Sequence, residues 1–255
     1  IHESYAMLDD YQHRAAEQDL CEAWRCKEWP VKLVDDYEHA EETIELDKNR
    51  MMDKLAKEKE AFDALQESLE KQVLAFRGYG GCENVQKYYD EATALSDQIK
   101  AAKEQGEEFN QRDEVLGFPR TEYALLNQME RDFAPYLKLW VMCQDFADSK
   151  VEWMNGPLLR LDYVDIEKQV SDWWRTSYKL SKQFAEDCPE CSEVALFLRA
   201  GTDDFKAYLP MIQALSSDAL RVRHWAKLSE DLSASTGKEV DLDGSDDMTL
   251  HGLVE

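Results

Sequence analysis

Glycine and proline are scarce in this sequence, 10 and 6 among 255 residues. That scarcity, with abundant Leu, Ala, Glu, Lys and Gln, argues against a turn-rich sheet protein and for helix. Long apolar runs are missing as well. None approaches the ~20 residues of a membrane span, and no secretory signal is present. Six cysteines (Cys21, Cys26, Cys82, Cys143, Cys188 and Cys191) fall short of the density of a disulfide scaffold, so reduced, intracellular thiols are expected. Positive charge is deficient. The formal net charge of −24 repels phosphate backbones and anionic lipid, which excludes nucleic acid and membrane surfaces as expected partners and leaves basic ones open.

Catalytic and cofactor motifs are also lacking. No phosphate-binding Gly-x-x-x-x-Gly-Lys-Ser/Thr loop, no Gly-x-Gly-x-x-Gly and no Gly-x-Ser-x-Gly occurs. "GYGGC", at 78–82, lacks the lysine and serine and sits between helical patterns rather than after a strand. Cys188 and Cys191 form one Cys-x-x-Cys pair, but a structural zinc needs four ligands, and His2, His13, His39, His224 and His251 are scattered. A redox role would want a thioredoxin-like strand-helix setting, so free thiols in a helix-end loop are expected. "EVDLDGSDD" places Glu239, Asp241 and Asp243 at calcium-loop positions one, three and five, with Gly244 at six. It then puts Asp246 at the apolar position eight and Leu250 where a bidentate carboxylate is required, so calcium is rejected. Carboxylates are everywhere on charge-rich helical faces and point to no catalytic pair. The expectation is a chain with no enzyme site, cofactor or metal of its own.

What is present is apolar periodicity and tryptophan. With 44% hydrophobic residues and seven tryptophans the chain can bury a core, and its length suits one large domain or two. Residues 1–29 read as one amphipathic helix, with Tyr5, Leu8, Tyr11, Ala15, Leu20 and Trp24 roughly on one side and Trp29-Pro30 as its end. Residues 31–76 contain neither proline nor glycine. Tyr37, Ala40, Ile44, Met51, Leu55, Phe62, Leu65, Leu69 and Phe76 follow mostly three- and four-residue steps, with a break in the heptad from Met51 to Leu55 and polar Glu58 and Gln72 in the seam. At ~1.5 Å per residue this helix reaches roughly 65–70 Å, a coiled-coil or bundle rod. "RGYGGC" breaks it, and a second helix from about Glu83 to Glu108 returns to make an antiparallel hairpin.

The character changes near "GFPRTEY". Thr121 caps a helix running through Trp140 to Trp153, with Pro135 as a kink or break. "EWMNGPLL" then stops it at Asn155-Gly156-Pro157, where glycine offers unusual backbone angles and proline cannot continue the ladder. Asp162 or Asp165 starts the next helix, carrying Trp173 and Trp174, and "DCPECSE" ends it. Shorter helices fit Val194–Arg199, Asp203–Leu215 and Asp218–Leu232, an acidic loop follows, and "MTLHGLVE" opens another apolar element. No strands are expected. A chain that opens on Ile1 in mid-pattern is expected to be a piece of something longer.

"GFPRTEYALL", "FAPYLKLW", "EWMNGPLL" and "ALRVRHWAKLSEDL" occur in this order at wide spacing. The succession resembles the region of dynein heavy chains where the amino-terminal tail passes into the linker. That family shows a Pro-x-x-Tyr segment, a Pro-Tyr/Leu-x-x-Leu-Trp helix, a Trp-x-x-Gly-Pro corner and an Arg-x-Arg-His-Trp helix. This chain departs at the first, where Pro119 and Tyr123 are four apart. The detail of "PYLKLW" and "EWMNGPLL" looks more like axonemal heavy chains of the inner-arm type. The resemblance covers Leu116–Glu255.

The resemblance implies an all-α fold, an elongated array of helical bundles preceded by a long hairpin, with 1–115 as tail or stem and 116–255 as the amino-terminal part of the linker. It implies a mechanical lever in microtubule-based ciliary motility, with ATP sites elsewhere in the heavy chain. Trp140, Trp153, Trp173, Trp174 and Trp225, the Asn155-Gly156-Pro157 corner, and Arg223 and His224 would be the structural residues. Implied partners are the rest of the heavy chain with its ring of AAA-type modules, and light or intermediate chains or axonemal docking proteins. The implied location is the axoneme, with cytoplasm as the alternative. The competing reading of the periodicity is an independent adaptor or spectrin-like tethering rod.

Overall fold

The structure, a computed structural model, describes residues 2–217, 219–237, 242 and 248–254. The described chain is helical: α1 His2–Asp10, α2 Glu17–Ala75, α3 Val85–Leu116, α4 Ala124–Asn155, α5 Tyr163–Phe184, α6 Pro189–Lys206, α7 Leu209–Leu215, α8 Val222–Thr236 and α9 Leu250–Val254. Short 3-10 turns occupy Phe76–Gly78 and Leu158–Arg160. Extended pairing among the described residues is limited to an isolated bridge between Pro157 and Thr249. No helix among them is long and apolar enough to cross a membrane.

By packing, the chain divides into two compact units: residues 1–63 with 109–120, and residues 64–108 with 121–255. In the first, the carboxyl-terminal part of α3 lies antiparallel on α2. Phe62 meets Phe109 edge-on at 5.2 Å, and Leu55 and Phe62 are buried. Lys59 Nζ donates to both oxygens of the buried Asp113 at 2.6 and 2.8 Å, and Arg112 pairs with Glu58. That arginine holds the Glu58 carboxyl below its ordinary value. Glu58 therefore serves the seam through its charge. One of the two polar seam positions is thus held in an ion pair. α3 stops at Gly117, whose φ of 80° suits glycine, and Phe118 N–H reaches back to the Asp113 carbonyl at 2.8 Å.

Two expectations fail in this unit. Residues 1–29 are not one helix: the chain leaves α1 near Gln12, at φ 54°, and α2 begins at Glu17. Trp29-Pro30 does not end a helix either, because Pro30 lies inside α2. Proline forfeits one ladder bond and crowds one carbonyl, about 3 kcal/mol. The strong helix formers on both sides make continuation cheaper than a stop.

In the second unit, Leu69 and Val73 at the α2 end, Phe76 of the following 3-10 turn, and Ala92, Leu95, Ile99 and Ala102 of α3 are all buried. α4 lies on this pair through Leu126, Met129, Phe133, Tyr136, Leu139 and Trp140, with Phe133 against Phe76 at 4.9 Å. α5 and α6 form an antiparallel pair around Val170, Leu180, Phe184, Val194 and Leu198.

Glycine and proline again proved weaker punctuation than expected. α3 runs past the expected end at Glu108 to Leu116, and Gly106, inside the helix as expected, makes room for the Tyr123 ring, since a Cβ there would stand 2.8 Å from Tyr123 Cδ2. α4 passes through Pro135 unbroken, and its cap position is Tyr123, not Thr121. α6 spans both expected short segments, Val194–Arg199 and the start of Asp203–Leu215, with Gly201 packed on Phe146. α8 starts at Val222, and Asp218, its expected start, lies outside the described residues. Most of the rejected calcium loop, including Glu239, Asp241, Asp243, Gly244 and Asp246, lies outside the described residues. Its last position, Leu250, is fully buried.

Candidate functional site

The corner after α4 begins with a last helical turn that satisfies itself. Asn155 Nδ2 donates to the Val151 carbonyl at 3.0 Å and Gly156 N–H to the Glu152 carbonyl at 2.7 Å. Gly156 has φ −77° and ψ 167°, an ordinary extended conformation, so unusual angles are not why glycine stands there. Close approach is the reason: a Cβ at Gly156 would meet the Glu152 carbonyl oxygen at 2.5 Å. Pro157, at φ −62°, heads the 3-10 turn Leu158–Arg160. Asp162 then caps α5, its Oδ1 accepting from Val164 N–H at 2.9 Å and Asp165 N–H at 3.3 Å.

The corner does not stand alone. Leu158 N–H donates to the Met248 carbonyl at 2.8 Å and Pro157 bridges to Thr249, so a short strand-like segment clasps it. Leu158 and Leu250 are both fully buried. Behind the clasp, buried Trp153 lies 5.8 Å from Trp173 and 5.0 Å from Phe205, and Trp173 meets Phe146 edge-on at 5.7 Å. One aromatic cluster thus joins α4, α5 and α6 at the point where the chain turns. Such pairs add about 0.5–1.5 kcal/mol each beyond their area.

The remaining expected residues are dispersed. Trp140 is fully buried, 4.7 Å from Tyr88, and its indole N–H finds no acceptor among the described residues. Trp174 is half-buried under two cations, Lys206 at 3.9 Å and Arg199 at 4.6 Å from its ring. Trp225 is buried on α8. His224 Nδ1 accepts the Arg221 backbone N–H at 3.1 Å, an amino-terminal cap for α8. This bond requires the tautomer protonated at Nε2, so Arg223, 3.3 Å from that nitrogen, is a neighbour without a true bond.

Cys188 and Cys191 stand at the start of α6 and are fully buried. Cys188 donates to the Arg77 carbonyl at 2.8 Å, and Cys191 lies 3.5 Å from the carbonyls of Phe76 and Tyr79. Burial, and then the neighbouring Cys188 thiol, push the Cys191 pKa far up. These thiols pin α6 to the turn between α2 and α3. Among the described residues no three His, Cys, Asp or Glu side chains gather closely enough to hold a metal ion.

Sequence reasoning found Trp153, Trp173 and the Asn-Gly-Pro turn but missed Phe205, Leu158 and the clasp at 248–250. The one available signal was the apolar start of "MTLHGL", which says that the segment is buried but not where.

Residues 126–255 match the family model described as dynein heavy chain, N-terminal region 2. The chain is 29% identical to human dynein axonemal heavy chain 1 over 250 residues, 95% of this chain and 6% of that protein. The rat counterpart is 30% identical over 93% of this chain and 5% of its own length. Human dynein axonemal heavy chain 3 is 31% identical over 58% of this chain and 4% of its own. The similarity to heavy chain 1 therefore extends into the first 115 residues, where no motif was legible.

Proposed function

We propose, from the premise that this chain belongs to the dynein heavy chain family, that it is a non-catalytic mechanical segment of an axonemal heavy chain. The chain spans only about one-twentieth of those relatives, so motor activity, partners and cellular place are proposals for the larger protein. Residues 1–115 would serve as tail or stem and 116–255 as the amino-terminal part of the linker. ATP hydrolysis would belong to other parts of the heavy chain, which would be an axonemal heavy chain of the inner-arm type. Light or intermediate chains and docking proteins are the proposed accessory partners. The family match weighs against the independent tethering rod.

The observation that carries the lever reading is the clasped corner. A lever transmits force only if its joints hold their angle. Here the turn is braced by a backbone bridge on one side and by the Trp153–Trp173–Phe205 cluster on the other. The test uses the complete motor. Replacing Gly156 and Pro157 with alanine, or Trp153→Ala, should leave basal ATP hydrolysis near normal and slow microtubule gliding. Unchanged gliding in folded variants would make the corner passive spacing.

A further inference from the structure

Every residue of α2 from Trp24 to Met51 is exposed. Within that stretch Leu33, Tyr37, Ile44 and Met51 are 56, 65, 66 and 59% exposed, yet they are large and apolar. At 100° per residue the four fall within a band of about 40° on one side of the helix. Tyr37, Ile44 and Met51 recur every seven residues, the spacing of a coiled-coil seam. The band points the same way as Leu55 and Phe62, which the end of α3 covers. α3 stops at Leu116, and its partnership with α2 in this unit stops with it. The exposed stripe is thus continuous with an established helix–helix interface. It extends beyond the cover by roughly 27 Å at 1.5 Å per residue from Leu33 to Met51.

Charge selects the occupant. Seven carboxylates and two Lys or Arg side chains lie between Leu33 and Met51. Glu41 and Asp47 border the band on opposite sides. A second copy would set this acidic helix against itself, with like charges within a Debye length of about 8 Å. A helix of opposite flank charge gains on both counts. We propose that the Leu33–Tyr37–Ile44–Met51 face of α2 docks an amphipathic helix of another protein, with an apolar heptad stripe flanked by lysines and arginines. This surface is independent of the lever reading, since the corner plays no part in it.

The probes are two synthetic helices of about 28 residues with identical apolar heptads, one flanked by Lys and Arg, its twin by Glu. Each is titrated into the 255-residue chain by fluorescence anisotropy, with sedimentation equilibrium of the chain alone. The basic helix should bind saturably and the acidic twin about tenfold more weakly or worse. Ile44→Asp should weaken the basic helix by about tenfold or more, although it adds a negative charge that a merely electrostatic attraction would welcome. Leu46→Asp, exposed on the other side of α2, should leave binding unchanged. Circular dichroism should be the same for all three proteins, because neither position is buried. Absence of binding, equal binding of the twins, or indifference to Ile44→Asp would overturn the proposal. A homodimer abolished by Ile44→Asp would overturn it too, naming a second copy as the occupant.

Discussion

Between residues 24 and 51 every side chain of α2 is exposed, Trp24 and Trp29 included, whereas around the corner after α4 Trp153, Leu158 and Leu250 are all buried. Both regions carry bulky apolar residues at helical spacing. They differ in what runs alongside. At the corner, α4, α5, α6 and the 248–250 segment converge, so each aromatic ring has neighbours from several directions. Along 24–51, α2 has no companion helix among the described residues. Periodicity decides which face of a helix is apolar; burial requires a second element to cover it.

The comparison breaks most readily at Trp153. Trp153→Ala opens a cavity and should destabilise the fold by about 3–5 kcal/mol. Ile44→Ala, in the exposed stripe, should change stability by under about 0.5 kcal/mol. Urea unfolding of both variants is the measurement, and comparable losses would mean that the α2 face is covered after all.

Amide hydrogen exchange sharpens the same contrast inside one helix. Residues 24–51 and 55–75 of α2 share a backbone ladder, but only the second stretch contributes side chains to a core. Exchange should be about a hundredfold faster in the first. Equal protection in the free chain would contradict the burial pattern, and local protection on adding the basic helix would reinforce the docking surface.

Gly156→Ala should cost about 1–3 kcal/mol, as crowding against a carbonyl oxygen usually does. Gly78→Ala is the control, since nothing stands within 4 Å of its Cβ position, and it should be close to neutral. If the two variants unfold together, close packing is not what selects glycine at the corner.

The smallest difference, silent near neutrality, concerns Cys143. Burial raises its pKa from 9.0 to about 12. The unfolded chain therefore loses this proton first as pH rises. The stabilisation is complete below pH 9 and declines between 9 and 12. Urea midpoints across that window should fall less steeply in Cys143→Ala than in the parent.

Much of the helix content was legible, and so was the Asn155-Gly156-Pro157 stop, because helix propensity and turn chemistry act over a few neighbouring residues. The errors concern punctuation. Pro30 was read as a helix end, Pro135 as a kink or break, and Gly201 fell in the gap between two expected helices, and all three lie inside helices. Gly106 and Gly201 sit under the rings of Tyr123 and Phe146, contacts between residues far apart in the chain or on different helices. No local rule contains those rings.

By itself the sequence determined the all-helical fold, the apolar stripe of α2, a helix start at Asp162 or Asp165, and the order of aromatic landmarks shared with the dynein heavy chain family. These follow from local conformational preference and from a period that any stretch of helix repeats. Tertiary structure alone decided that Met248 and Thr249 clasp the corner, that Phe205 completes its aromatic cluster, and that two thiols at the start of α6 reach the carbonyls of Phe76 and Arg77 across more than a hundred residues. It also decided that the stripe of α2 is covered at Leu55 and Phe62 and bare from Leu33 to Met51. The physical reason is common to all of these: the free energy of a contact depends on which surfaces meet, and no periodicity within one segment specifies its partner.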